Sequence, residues 1–168
     1  MKVRMRMERY RLKIKDLKEI KNEIEKLKAK GQKIVFTNGC FDILHPGHTR
    51  YLSSAKILGD YLVVAVNSDR SVRSIKGEGR PVIPESERAE LVAALSFVDG
   101  VTIFDEDNPL RVIQSLMPDV LVKGGDWKEE DIIGSDVVKK AGGEVKRISY
   151  VTGFSSSDLI KKIRGKWI

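Results

Sequence analysis

The chain has 168 residues, 41% of them hydrophobic and 33% charged, with a formal net charge of +7. That is one domain's worth of length, too short for two lobes and too apolar for a disordered segment. No apolar run is long enough to span a membrane, and the opening MKVRMRM lacks the apolar stretch of a secretory signal. The single cysteine, Cys40, excludes an internal disulfide and a multi-thiolate zinc site, so a cytoplasmic protein is expected.

The charge is unevenly placed. Residues 1–30 hold twelve Lys/Arg against five Asp/Glu, while the other 138 residues hold nineteen of each sign. The excess therefore belongs to a basic N-terminal helical extension (1–30), set before a main domain (31–168). Within the extension Leu17, Ile20, Ile24 and Leu27 recur at helical spacing, which predicts an amphipathic helix that docks by its apolar face and keeps Lys and Glu in water. After Gly31 the chain alternates. IVFT (34–37) reads as a buried strand, Thr49–Leu58 as a helix, and YLVVAV (61–66) as a strand covered on both faces. Residues 67–83, with Gly77, Gly79 and Pro81, read as a loop. A helix over Glu85–Leu95, the strand VTIF (101–104), a helix over Pro109–Leu116 and the strand VLV (120–122) follow. A short helix near Ser135–Lys140, the strand EVKRI (144–148) and a helix from Ser156 onward complete the series. Such alternation predicts a single α/β domain with a doubly wound parallel sheet.

Ligands of such sheets sit beyond the carboxyl ends of the strands, where helix N-termini offer unpaired amides. The segments that follow the strands are therefore the ones to read. TNGCFDILHPGH (37–48) holds both histidines of the chain, His45 and His48, around Pro46 and Gly47. Pro46 suits a first helical turn. Gly47 lets an anion approach the backbone, and the two imidazoles can donate to phosphate oxygens. A metal bound by the histidines and Asp42 is a weaker alternative, because the three-residue spacing is not that of helix-borne zinc ligands and no soft third ligand is near. GEGRPV (77–82) lacks the third glycine of a dinucleotide fingerprint, and no phosphate-binding Walker sequence occurs.

TNGCFDILHPGH closely resembles the G-x-F-D-x-x-H-x-G-H signature of the cytidylyltransferase-like nucleotidyltransferases. The resemblance continues through LGDYLVVAVNSD (58–69), KGEGRPVIPESER (76–88), PDVLVKGGDW (118–127) and GFSSSDLI (153–160). It implies a Rossmann-like sheet of the HxGH type. Within the family, VNSDRSVRSIKGEGRPV followed by VKGGDW is most similar to adenylyltransferases that act on D-glycero-β-D-manno-heptose 1-phosphate, forming ADP-heptose and pyrophosphate from ATP. Many such domains are fused behind a sugar kinase; any kinase step is expected on another chain.

By resemblance, His45, His48, Lys76 and Arg88 are the catalytic set. The histidines hold the phosphates, Lys76 reaches them from a flexible loop, and Arg88 lies near the same charge unless it merely pairs with Glu85. The nucleotide is expected against Thr37, Asn38, Gly39, Cys40, Phe41, Asp42 and Gly47, with Cys40 a small buried member and Asp42 either orienting the loop or holding a nucleotide group. Lys123, Gly124, Gly125 and Asp126 form a second nucleotide-binding segment, in which Asp126 accepts a ribose hydroxyl or simply shapes a turn. Ser155, Ser156 and Ser157 both cap the last helix and hold phosphate. Asn67, Asp69 and Trp127 are weaker candidates for the substrate. Mg²⁺ is expected with ATP and no dedicated protein metal site. The expected partners are ATP and a sugar phosphate, with no nucleic acid and no membrane, in a homo-oligomer, most simply a dimer.

Three rival readings stand beside this one. A glycerol 3-phosphate cytidylyltransferase usually carries an arginine before its final serines, where this chain has Tyr150-Val151-Thr152-Gly153-Phe154, and Lys123 replaces an apolar residue. An enzyme like FAD synthetase shares H-P-G-H but not the later segments. A non-catalytic module using Lys13, Lys15 and Lys18 on a polyanion would bind with steep salt dependence.

Overall fold

The computed structural model describes residues 9–125, 128–149 and 156–167. A 3₁₀ turn over Arg9–Lys13 precedes α1 (Leu17–Lys28), β1 (Ile34–Gly39), α2 (Pro46–Lys56), β2 (Tyr61–Asn67), α3 (Asp69–Lys76) and α4 (Glu85–Ala93). There follow β3 (Gly100–Phe104), α5 (Leu110–Leu116), β4 (Val120–Gly124), α6 (Ser135–Lys140), β5 (Glu144–Ile148) and α7 (Ser156–Trp167). The strands form one parallel sheet in the order β3-β2-β1-β4-β5. The chain winds outward from β1 to β3 and then returns to the other side of β1. The reversal leaves a crevice between the carboxyl ends of β1 and β4, which is where such sheets bind ligands.

Alternation along the strands divides the core in two. Val35, Val64, Val66, Val120 and Val122 pack with Leu52 and Ala55 of α2 and with Ala89 and Val92 of α4. Ile34, Phe36, Val63, Ala65 and Leu121 face the other way, onto Ile20 and Ile24 of α1, Val112 and Ile113 of α5, and Val138 of α6. Continuous apolar strands such as YLVVAV are buried on both faces for this reason.

The basic extension is part of this body. Asp16 caps α1 by accepting from the Glu19 amide while Glu19 accepts from the Asp16 amide, a reciprocal capping box. Gly31, at φ +76°, lies just past its end. Ile20 and Ile24 are fully buried in the same cluster as β1, so the face expected to dock does so within the chain. The boundary placed after residue 30 thus separates segments that share one core. Before α1, the Lys15 amide donates to Val101 O at 2.9 Å and Ile14 bridges Val101, which covers part of the exposed edge of β3. The extension's cations also have internal partners: Arg11 pairs with Glu90 at 2.9 Å, Lys15 pairs with Glu23, and Lys13 donates to Leu95 O at 3.1 Å.

The stretch read as a loop differs from expectation. Residues Asp69–Lys76 form α3, capped by Ser68, whose Oγ accepts from the Ser71 amide at 3.0 Å. With Val72 its only buried apolar residue, the helix shows too little periodicity to stand out beside Gly77, Gly79 and Pro81. Lys76 is therefore the last residue of a helix, followed by Gly77 at φ +87°. Likewise α2 begins at Pro46, not Thr49, which draws both histidines into its first turn. Among the described residues no helix is long and apolar enough to cross a membrane.

Candidate active site at the strand ends

The turn from β1 into α2 is shaped by Phe41. Its φ of +48° is unusual for a residue with a side chain, and the ring is buried. A Cβ on Gly39 would lie 3.0 Å from that ring, so glycine leaves the space that Phe41 fills. The ring meets His48 at a centroid distance of 5.3 Å, tilted by 57°. The aromatic thus supports the imidazole from beneath.

His45 is the N-cap of α2 and Pro46 opens its first turn, with the His48 amide donating to His45 O at 2.9 Å. The two imidazoles stack with centroids 3.8 Å apart and planes 25° from parallel. Burial, then the neighbouring His45, lowers the His48 pKa from 6.5 to about 4; burial also lowers that of His45, against a raising backbone hydrogen bond. The Nδ1 of His48 is buried with no hydrogen-bond partner. Two neutral imidazoles on the positive end of a helix dipole form a site that an anion would complete.

One turn on, Tyr51 anchors α2 to the sheet. Its hydroxyl lies 2.6 Å from Thr37 Oγ1 and donates to Val122 O at 3.2 Å. Thr37 is fully buried, so it braces the crevice from below. The tyrosine role went unread in the sequence, although its position three residues after His48 puts it on the same helical face.

Asp42 organises the loop rather than a ligand. Buried, it accepts from Arg80 Nε at 2.5 Å and from the Val82 and Ile83 amides at 2.7 and 3.0 Å. Both carboxylate oxygens are engaged by the chain, which decides between the two roles expected of it. Arg80, a partner the sequence reading missed, also reaches Ser157 Oγ at 3.5 Å. Ser156 Oγ donates to Ile43 O at 3.0 Å, so the start of α7 meets the same loop. A buried acid two residues after Cys40 demands a cation, and that demand was the signal available for Arg80.

Arg88, expected near the phosphates, is held by three contacts within the chain. Its side chain is fully enclosed, with Nε donating to Ile83 O at 2.9 Å, Nη1 to Cys40 O at 2.5 Å and Nη2 to Asp69 Oδ1 at 2.8 Å. Nor does it pair with Glu85, which accepts from the Asp69 amide at 2.7 Å instead. Arg88 ties together the turn after β1, the segment before α4 and the start of α3. Asn67 is likewise buried, donating to Ser71 Oγ at 3.0 Å. Asn67 and Asp69, expected near the sugar, both take part in holding α3.

Cys40 is half-buried, and burial raises its thiol pKa against the opposing influence of Lys76, Arg88 and Arg80. Lys76, at the exposed end of α3, thus acts on the turn through its charge. On the other side of the crevice Lys123 donates to Asn38 Oδ1 at 3.1 Å. Gly124 and Gly125 are buried, and Gly125, at φ +98°, donates to Ile148 O at 3.0 Å. Asp126, Trp127 and Ser155 lie outside the described residues. The structure therefore brings His45, His48, Gly47, Ser156, Ser157 and the 37–42 turn together, with Lys76 and Lys123 flanking it.

A parallel sheet with a histidine-bearing helix N-terminus at its switch point defines a nucleotide-binding α/β protein. The cytidylyltransferase-like family model matches residues 36–162, and the chain belongs to that family. It is 56% identical over 151 residues, 90% of its length, to the "Bifunctional protein HldE" of Geobacter metallireducens, but covers only 31% of that protein. The chain thus spans about a third of the curated relatives it matches. Among solved structures, a lipopolysaccharide core biosynthesis protein from Thermoplasma volcanium is 31% identical, with 72% of this chain and 98% of that one covered and a TM-score of 0.59. A pantoate-beta-alanine ligase from Francisella tularensis is 15% identical with a TM-score of 0.61, covering 91% and 76%, and so speaks to the fold alone.

Proposed function

We propose that the chain is an adenylyltransferase that moves AMP from ATP to a sugar 1-phosphate, with D-glycero-β-D-manno-heptose 1-phosphate as the acceptor and ADP-heptose and pyrophosphate as products. The stacked, neutral pair His45 and His48 in the first turn of α2 is the observation that carries this reading. Identity of 56% to a bifunctional HldE protein supports the assignment. The kinship with a lipopolysaccharide core biosynthesis protein supports a saccharide acceptor.

An acceptor phosphate oxygen attacks the α-phosphorus in line, and pyrophosphate leaves from the opposite side. No covalent enzyme intermediate is needed, so the residues position the reactants and stabilise charge. His45, His48 and the α2 dipole hold the phosphates; Lys76 approaches from the end of α3, and Ser156 and Ser157 close the site from α7. ATP enters as its Mg²⁺ complex, with phosphates and water supplying most of the ion's ligands. Use of ATP supports a cytoplasmic setting.

The test is pyrophosphate release with each of four nucleoside triphosphates against a panel of sugar phosphates. Turnover with ATP and heptose 1-phosphate is expected. Turnover with CTP and glycerol 3-phosphate, or with ATP and FMN, would replace this reading by one of its rivals.

A further inference from the structure

The cations of the crevice lie on two faces of the sheet. Thr37 and Val122 meet Tyr51 of α2, so their face of β1 and β4 is the one that carries the histidine helix. Phe36 and Leu121 point to the opposite face, against α1, α5 and α6. Strand alternation then puts Asn38 and Lys123 on that second face at the crevice's other lip. There Lys123 is partly buried, with Asn38 Oδ1 at 3.1 Å as its hydrogen-bond partner and no carboxylate within ion-pair reach among the described residues. An ammonium has three donors, and a neutral amide oxygen occupies one of them. Burial accordingly lowers the Lys123 pKa. Lys15, Lys28 and Lys56, also half-buried, each have a carboxylate, whereas Lys13 donates to Leu95 O.

We propose that Lys123, oriented by Asn38, is the docking cation for the phosphate of the acceptor, across the strand ends from the histidines that hold the triphosphate. This rests on the reading of the site as one that joins two phosphates. In-line displacement requires the entering oxygen and the leaving pyrophosphate on opposite sides of the α-phosphorus. Two anion sites on opposite lips of one crevice suit that requirement. The acceptor oxygen forms the new bond to the α-phosphorus; the bond to the bridging oxygen breaks, and pyrophosphate departs with the electron pair. The acceptor phosphate is already anionic, so no proton need be removed, and Lys123 stays protonated as a charge partner.

The experiment uses the full chain saturated with α,β-methylene ATP, titrated with inorganic phosphate and followed by phosphorus NMR and calorimetry. Phosphate binding is expected in the wild-type complex. Lys123→Met should weaken it about tenfold or more, the usual worth of a charge-assisted hydrogen bond, and by far more than it weakens the ATP analogue, against the nucleotide contact expected of Lys123 from the sequence. Circular dichroism verifies that the variant is folded; should Lys123→Met not fold, Lys123→Gln serves in its place. Lys123→Arg should restore part of the phosphate affinity. The proposal is overturned if the wild-type complex binds no phosphate, if the neutral variants bind it as tightly, or if they lose analogue and phosphate in equal measure. Because no sugar is present, these outcomes are independent of whether heptose 1-phosphate is the acceptor.

Discussion

At the scale of single residues, the imidazole pair is poised for a charge it does not itself carry. With its pKa lowered to about 4, His48 is neutral near pH 7, and a bound polyanion would draw a proton towards it. In the free protein the sign is the opposite. An unfolded histidine, at its ordinary value near 6.5, takes up a proton before the folded one does. His48 therefore contributes stability that is fully present above about pH 6.5 and is lost as pH falls towards 4. Thermal melts from pH 7.5 to 4.5 should show a steeper acid decline in wild type than in His48→Gln; parallel curves would contradict this. For turnover, His48→Ala should lower kcat by about a hundred- to a thousand-fold, the usual effect of removing one such donor, with the melting temperature near pH 7.5 little changed. A third residue-scale prediction concerns Asp42. Replacing it by alanine leaves the half-buried Arg80 without its carboxylate and the Val82 and Ile83 amides without their acceptor, at a cost of about 3–5 kcal/mol, and denaturant unfolding should register that loss.

At the scale of elements, the extension and the clamp around Arg88 matter most. Because α1 completes the core over β1, Ile24→Ala should destabilise the whole fold by about 2–5 kcal/mol in urea; a near-neutral result would mean that α1 is an appendage. Both the helix and its docked face were legible from Leu17, Ile20, Ile24 and Leu27, since an amphipathic period implies a partner surface. The five strands were legible too, four of them as apolar runs bounded by turns. Helix α3 was not, because its Ser68 cap stands beside an almost apolar-free segment and its first residue, Asp69, is held by Arg88 from another element. The histidine turn was legible by residue type and spacing. What could not be read was which charged side chains the fold encloses: Arg88 and Asp42 look like site residues in a sequence, yet burial commits both to the scaffold that holds the site. Arg88→Met should accordingly loosen three segments at once, and hydrogen exchange should quicken in the 40–42 turn, before α4 and at the start of α3 together.

At the scale of the whole molecule, the function follows from where the sheet reverses. Strands β1 and β4 part at their carboxyl ends, where the turn after β1 carries the histidines of α2 and α7 meets the same turn. A core packed on both faces keeps these pieces in register, so positioning can supply most of the catalysis. The central claim is that the histidine pair holds a triphosphate for attack at its α-phosphorus. Its most direct measurement is single-turnover pyrophosphate release from ATP and heptose 1-phosphate by wild type and by the His45→Ala/His48→Ala variant, with folding verified by circular dichroism. The account predicts release by wild type and its loss, by about a thousand-fold or more, in the folded double variant; release at the wild-type rate from that variant would contradict it.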